Sequence, residues 1–149
     1  MNIVIKLRDF AIAASLALVA APKSGQNAEM KQIKFVSVPV RDQDAALEFW
    51  TTKIGLRVVT DQPMGPGQRW IELKIPGAQT GIALFTPPGH EDRVGTFSGV
   101  SFGVYDVEEA HARLSAAGVE FAQPPKKESW GTSAVFKDPD GNSFVLSSL

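Results

Sequence analysis

Glu72 stands in the middle of the alternating run Trp70-Ile71-Glu72-Leu73-Lys74. As a strand, that run puts Trp70, Glu72 and Lys74 on one face. A carboxylate so placed can act as a base or hold the donor group of a ligand. It can equally pair with Lys74 on a solvated face. Phe35, Trp70, Tyr105 and Trp130 are the aromatic side chains able to offer a surface to a planar or apolar ligand. Phe49 and Trp50 instead fall on the buried stripe of a predicted helix. Other carriers of chemistry are scarce: the chain has no cysteine and only two histidines, His90 and His111. His90 lies in a polar connector and His111 at a helix margin, and neither belongs to a recognisable nucleophilic triad. Gly65-Pro66-Gly67 is turn chemistry without a phosphate-binding helix behind it.

The elements that must position these residues are written twice. Val36-Ser37-Val38-Pro39-Val40-Arg41-Asp42-Gln43-Asp44-Ala45-Ala46 returns as Val100-Ser101-Phe102-Gly103-Val104-Tyr105-Asp106-Val107-Glu108-Glu109-Ala110, with Val, Ser, Val, Asp and Ala matching at one constant offset. Each copy reads as a strand running into a helix capped by its Asp. Such an internal repeat points to a duplicated fold unit. Ser37 and Ser101 occupy equivalent positions, either as hydrogen-bond donors or as small residues that leave room. Gly55 and Gly118 end the two helices. Leu56–Thr60, Arg69–Ile75 and Ile82–Thr86 are predicted strands of the first half. Val119–Ala122, Thr132–Lys137 and Ser143–Leu146 follow in the second, with a loop over Gln123–Gly131 and a hairpin turn at Asp138-Pro139-Asp140-Gly141. Each half reads β-α-β-β-β, over about 33–86 and 97–147.

The 149 residues are 44% hydrophobic and 21% charged, with a net charge of −1, which suits one globular domain. That charge leaves nothing to drive nucleic-acid binding, and no segment reads as a membrane span. Residues 1–29 differ from the rest. Lys6 and Arg8 precede an apolar run from Phe10 to Ala21, followed by a polar stretch. The pattern is that of a signal peptide, which implies an exported or periplasmic protein. Met30 directly before the first strand offers the alternative of a later start and a cytoplasmic protein. Either way the domain is expected over 30–149.

The chain resembles the vicinal oxygen chelate superfamily of glyoxalases, bleomycin-resistance proteins and extradiol dioxygenases. The likeness rests on the Val-Arg-Asp helix entry with Phe49-Trp50 and Gly55-Leu56, on Trp70-Ile71-Glu72-Leu73, and on Phe136-Lys137-Asp138-Pro139-Asp140-Gly141-Asn142. It implies an α+β fold in which two tandem β-α-β-β-β modules form a curled, cup-like mixed sheet with helices outside. It also implies a homodimer. Metal-dependent members carry ligands on the first and a later strand of each module, and those positions fall on Phe35, Glu72, Gly99 and Val145. Only Glu72 can ligate, whereas a transition metal needs about three protein donors.

The expectation is therefore a small-molecule-binding protein without the usual metal site and without a cofactor. Its ligand-binding residues are expected to be Phe35, Ser37, Trp70, Glu72, Ser101, Tyr105 and Trp130. An enzyme of the same superfamily is the alternative: a lyase, isomerase or dioxygenase that uses Glu72 as a metal-free base, or relocated metal ligands. An interaction module with a filled cup is the third reading.

Overall fold

Asp42 and Asp106 begin both helices, as the repeat predicts. In the computed structural model, which describes residues 29–149, the Asp42 carboxylate accepts hydrogen bonds from Asp44 N and Ala45 N, and Asp106 accepts from Glu109 N. The leader expected over 1–29 lies outside the described residues except for its last position. The first module runs β1 (Phe35–Val38), α1 (Gln43–Glu48), β2 (Arg57–Pro63), β3 (Arg69–Lys74) and β4 (Gly81–Leu84). The second runs β5 (Phe97–Val104), α2 (Val107–Ala116), β6 (Glu120–Glu128), β7 (Gly131–Lys137) and β8 (Ser143–Ser148). Among the described residues no helix is long and apolar enough to cross a membrane.

The two modules have the same topology. The sheets run β1-β4-β3-β2 and β5-β8-β7-β6, with the first and last strand of each module parallel and the others antiparallel. The fold is α+β, two β-α-β-β-β modules in tandem. One strand is longer than expected. The predicted loop after Ala122 is strand as far as Glu128, through Pro124-Pro125. Proline cannot donate to a ladder, but β6 is an edge strand, and its register with β7 shifts between Gln123 and Lys126, where the prolines lie.

Beyond Glu48 the first helix continues as a π-helical turn over Phe49–Ile54. Thr51 and Thr52 hydroxyls bond the carbonyls of Leu47 and Glu48, four residues back, where they compete with backbone donors. The wider turn closes with Gly55 N on Trp50 O, Gly55 itself at φ 97°. Trp50 is thereby carried into the interior, fully buried, with its ring 4.9 Å from Phe144 and 5.6 Å from Phe102. The helix of the first module thus packs on the sheet of the second. A single core joins Val38, Ile71, Leu73 and Leu84 to Phe136, Phe144 and Leu146 through Trp50. Gln32–Leu149 is accordingly one compact unit. Among the described residues the Trp50 indole N–H has no hydrogen-bond partner.

Polar bonds lock the same arrangement. Asn142 is buried, donates to Pro39 O and to Asp138 Oδ2, both at 2.7 Å, and accepts from Gly95 N at 2.7 Å. Asp138 Oδ1 accepts from Asp140 N and Asn142 N, and Asp140 Oδ2 accepts from Arg41 N. One turn of the second module therefore holds the end of β1 and the connector together.

Removing the carboxamide in Asn142→Ala orphans Pro39 O and Gly95 N, and should cost about 2–4 kcal/mol, read as a lower urea midpoint. Burial raises the Asp138 pKa above its ordinary value of 3.8, against the hydrogen bonds from Asn142 that pull it down. The folded state then holds the proton more tightly than the unfolded one. The contribution of Asp138 to stability should fall as pH rises from 3.8 through the raised value. A carboxyl NMR titration with a midpoint at or below 3.8 would contradict this.

Candidate functional site

With the helix-side faces of both sheets turned into the shared core, the opposite faces point outward. On the first sheet the strand register aligns Ser37 with Ala83, Ala83 with Glu72, and Glu72 with Thr60, one row across all four strands. Phe35 lies to one side of that row, level with Gly81, and Trp70 to the other, level with Gln62. Only the methyl group of Ala83 stands on the strand between them. The Phe35 and Trp70 rings meet edge to face at 4.9 Å, and Trp70 meets Phe85 at 5.7 Å. Phe35, Trp70 and Phe85 form a continuous aromatic run.

Glu72 is 5% exposed on this face. Among the described residues its partner is Lys74, with Nζ 4.0 Å from Oε1. Glu72 thus lies on the aromatic face and pairs with Lys74, but at 5% exposure it is not on the solvated face that the pairing alone implied. Lys74 reaches along the sheet because Gly81 is opposite. A Cβ at Gly81 would stand 3.1 Å from Lys74 Cγ and 2.7 Å from Leu73 O.

The outward face of the second sheet has the same geometry and different chemistry. Ser101 aligns with Val145, and Val145 with Val135. The Ser101 and Ser147 hydroxyls are 2.9 Å apart, and Ser133 is level with Ser147. The row Ser37-Ala83-Glu72 thus corresponds to Ser101-Val145-Val135. Val145, on the last strand of its module, is the counterpart of Ala83 rather than of Glu72. The likeness of Trp70-Ile71-Glu72-Leu73 to the family pattern hides this one-strand offset, which emerges only from the pairing.

The structure brings Phe35, Ser37, Trp70 and Glu72 onto one face and places Ser101 on the other. It does not bring Tyr105 or Trp130 to either group. Tyr105 is 94% exposed after β5, and Trp130 is 67% exposed at the β6–β7 tip. His90 is exposed, and His111 packs its ring 4.4 Å from Phe121, away from both faces. Phe85 and Gln43 were not expected. Phe85 shares the parity of Ala83 along the predicted strand, which was signal enough. Gln43 gave none.

A model of the Glyoxalase/Bleomycin resistance protein/Dioxygenase superfamily matches residues 32–146. The chain belongs to this superfamily. It is similar to the uncharacterized protein YetH of Bacillus subtilis, 36% identical over 117 residues, which are 78% of this chain and 98% of YetH. Among solved structures it resembles a superfamily member from Sphaerobacter thermophilus, at 33% identity and TM-score 0.74, covering 80% of this chain and 98% of that one. It also resembles TnmS3, an antibiotic binding protein from Streptomyces sp. CB03234, at 33% identity and TM-score 0.71, covering 80% and 96%.

The metal that glyoxalase-type members hold does not fit the side chains present here. Phe35, Gly99, Ala83 and Val145 offer no donor, and Glu72 is one carboxylate paired with a lysine. Among the described residues no three His, Cys, Asp or Glu side chains come together. Protein purified without chelators should carry well under one equivalent of Zn, Ni, Mn or Fe by elemental analysis. A stoichiometric, tightly held ion would contradict the assignment.

Proposed function

We propose that this superfamily member is a small-molecule-binding protein that takes a planar, largely apolar ligand on its first outward face. The observation that carries the reading is the run Phe35–Trp70–Phe85, partly exposed, with a buried carboxylate beside it. An aromatic wall gives contact area at low entropic cost, and one polar group fixes orientation. The Glu72 carboxylate would then accept a hydrogen bond from a donor or cationic group of the ligand, in competition with Lys74. The likeness to an antibiotic binding protein supports a binding role over catalysis.

Each outward face is one wall of a site. Because both turn away from the shared core, the second wall has to come from another molecule. We assign that role to a second copy of the chain, whose Ser101, Ser133 and Ser147 hydroxyls would oppose the aromatic wall. A homodimer follows, and sedimentation as a monomer at micromolar concentration would argue against it.

Superfamily enzymes offer the competing reading, with Glu72 as the base of a metal-free lyase or isomerase. Turnover of the glutathione–methylglyoxal adduct that disappears in Glu72→Gln would establish it. On the binding reading, a thermal-shift screen of planar aromatic compounds should raise Tm, and Trp70→Ala should abolish the shift. Glu72→Gln should weaken binding of a cationic or hydrogen-bond-donating ligand by about 1–3 kcal/mol in calorimetry. Equal affinity of Glu72→Gln for every ligand found would remove Glu72 from the site.

A further inference from the structure

Strands β3 and β4 are laddered at Glu72–Ala83 and Leu73–Ile82, and the same register carried further would set Trp70 opposite Phe85 and Arg69 opposite Thr86. The ladder stops short of both pairs. In an antiparallel ladder a hydrogen-bonded pair exchanges two bonds, one N–H to carbonyl in each direction. Arg69 makes that exchange with a side chain instead. Gln43, the first residue of α1, donates from Nε2 to Arg69 O at 2.7 Å and accepts at Oε1 from Arg69 N at 3.0 Å. Nε2 carries two hydrogens, and it also donates to Leu84 O at 2.7 Å. Thr86 is engaged on the other side of β4, where its hydroxyl donates to Val40 O and accepts from Val40 N. The carboxamide is thus a spacer between two strands that would otherwise pair.

The two residues it holds immediately precede Trp70 and Phe85. Successive strand residues alternate between faces. A bond made from the helix side to the backbone of Arg69 and of Leu84 therefore fixes the next side chain of each strand on the outward side. There the Trp70 and Phe85 rings stand 5.7 Å apart with their planes at 50°. Phe35 meets the same indole from β1, at 4.9 Å. The Arg69 side chain adds a second tie, from Nη1 to Asp44 and from Nε to Asp61, but those bonds hold the guanidinium and not the strand separation. Without the carboxamide, Arg69 N, Arg69 O and Leu84 O lose their partner. The strands then close on each other or admit water, and either change moves Phe85 relative to Trp70.

We propose that Gln43 is the positioning residue of the aromatic wall, setting from behind the sheet how far apart Trp70 and Phe85 stand. Its effect on binding rests on the role assigned above to the aromatic face. The test uses the full chain and two readouts. By NMR, Gln43→Ala should speed hydrogen exchange at the Arg69 amide about tenfold or more and change the Trp70–Phe85 ring cross-peaks, while those between Trp70 and Phe35 persist. Gln43→Glu keeps the length and the acceptor but cannot donate as a carboxylate, and should change the same cross-peaks. Asp44→Ala, which removes only the tie to the guanidinium, should leave them as they are. By calorimetry with 9-aminoacridine, a flat cationic probe, Gln43→Ala should weaken binding about fivefold or more and Asp44→Ala should not. Trp70–Phe85 cross-peaks unchanged in Gln43→Ala, or changed equally in Asp44→Ala, would overturn the role of Gln43 and leave the aromatic face standing, as would undiminished affinity of Gln43→Ala for the probe. If the parent protein does not bind 9-aminoacridine, that result counts against the aromatic face as a binding site, and the ring contacts alone decide the role of Gln43.

Discussion

Asn142 is the constraint on which the arrangement of this chain depends. Two β-α-β-β-β modules could each curl their sheets in many relative positions. One buried carboxamide, bonded to the end of β1, to the connector and to its own turn, selects a single one. Buried polar groups that are fully paired specify geometry more sharply than apolar contact does. Trp50 supplies the apolar counterpart by inserting the first module's helix against the second module's sheet. With the helix sides committed to each other, the opposite sheet faces have no choice but to look outward.

Those faces show how far a duplicated unit can diverge without losing its frame. Row for row, Ser37-Ala83-Glu72 matches Ser101-Val145-Val135. One face carries aromatic rings and a charge, and the other hydroxyls and valines. Ala83 is decisive on the first face, because a larger residue on the strand between would keep Phe35 and Trp70 apart and uncover Glu72. Superfamily membership therefore fixes the frame, and the residues in these rows fix the chemistry each face presents.

Much of this was legible in the sequence because the signals were local. The repeat, the Asp caps, the helix-ending Gly55 and the Asp138–Gly141 turn all act within a few residues of themselves. The second half of β6 was not legible, since Pro124-Pro125 is acceptable only on a strand known to be an edge. Nor was the offset between Glu72 and Val145, which is a property of strand order. The faces of Phe35, Ser37 and Glu72 followed from alternation alone. That Tyr105 and Trp130 lie apart from them depends on where β5 ends and β6 turns, and period-two patterning carries no information about ends.

The three tryptophans divide the molecule optically. Trp50 is sealed among phenylalanines, Trp70 lies half-buried between Phe35 and Phe85, and Trp130 stands in solvent. Emission from Trp50 belongs at the blue end and from Trp130 at the red. Separation of the modules would wet the first indole, whereas events on the outward face would perturb the second. The chain thus carries its own spectroscopic labels for two motions that most assays would confuse.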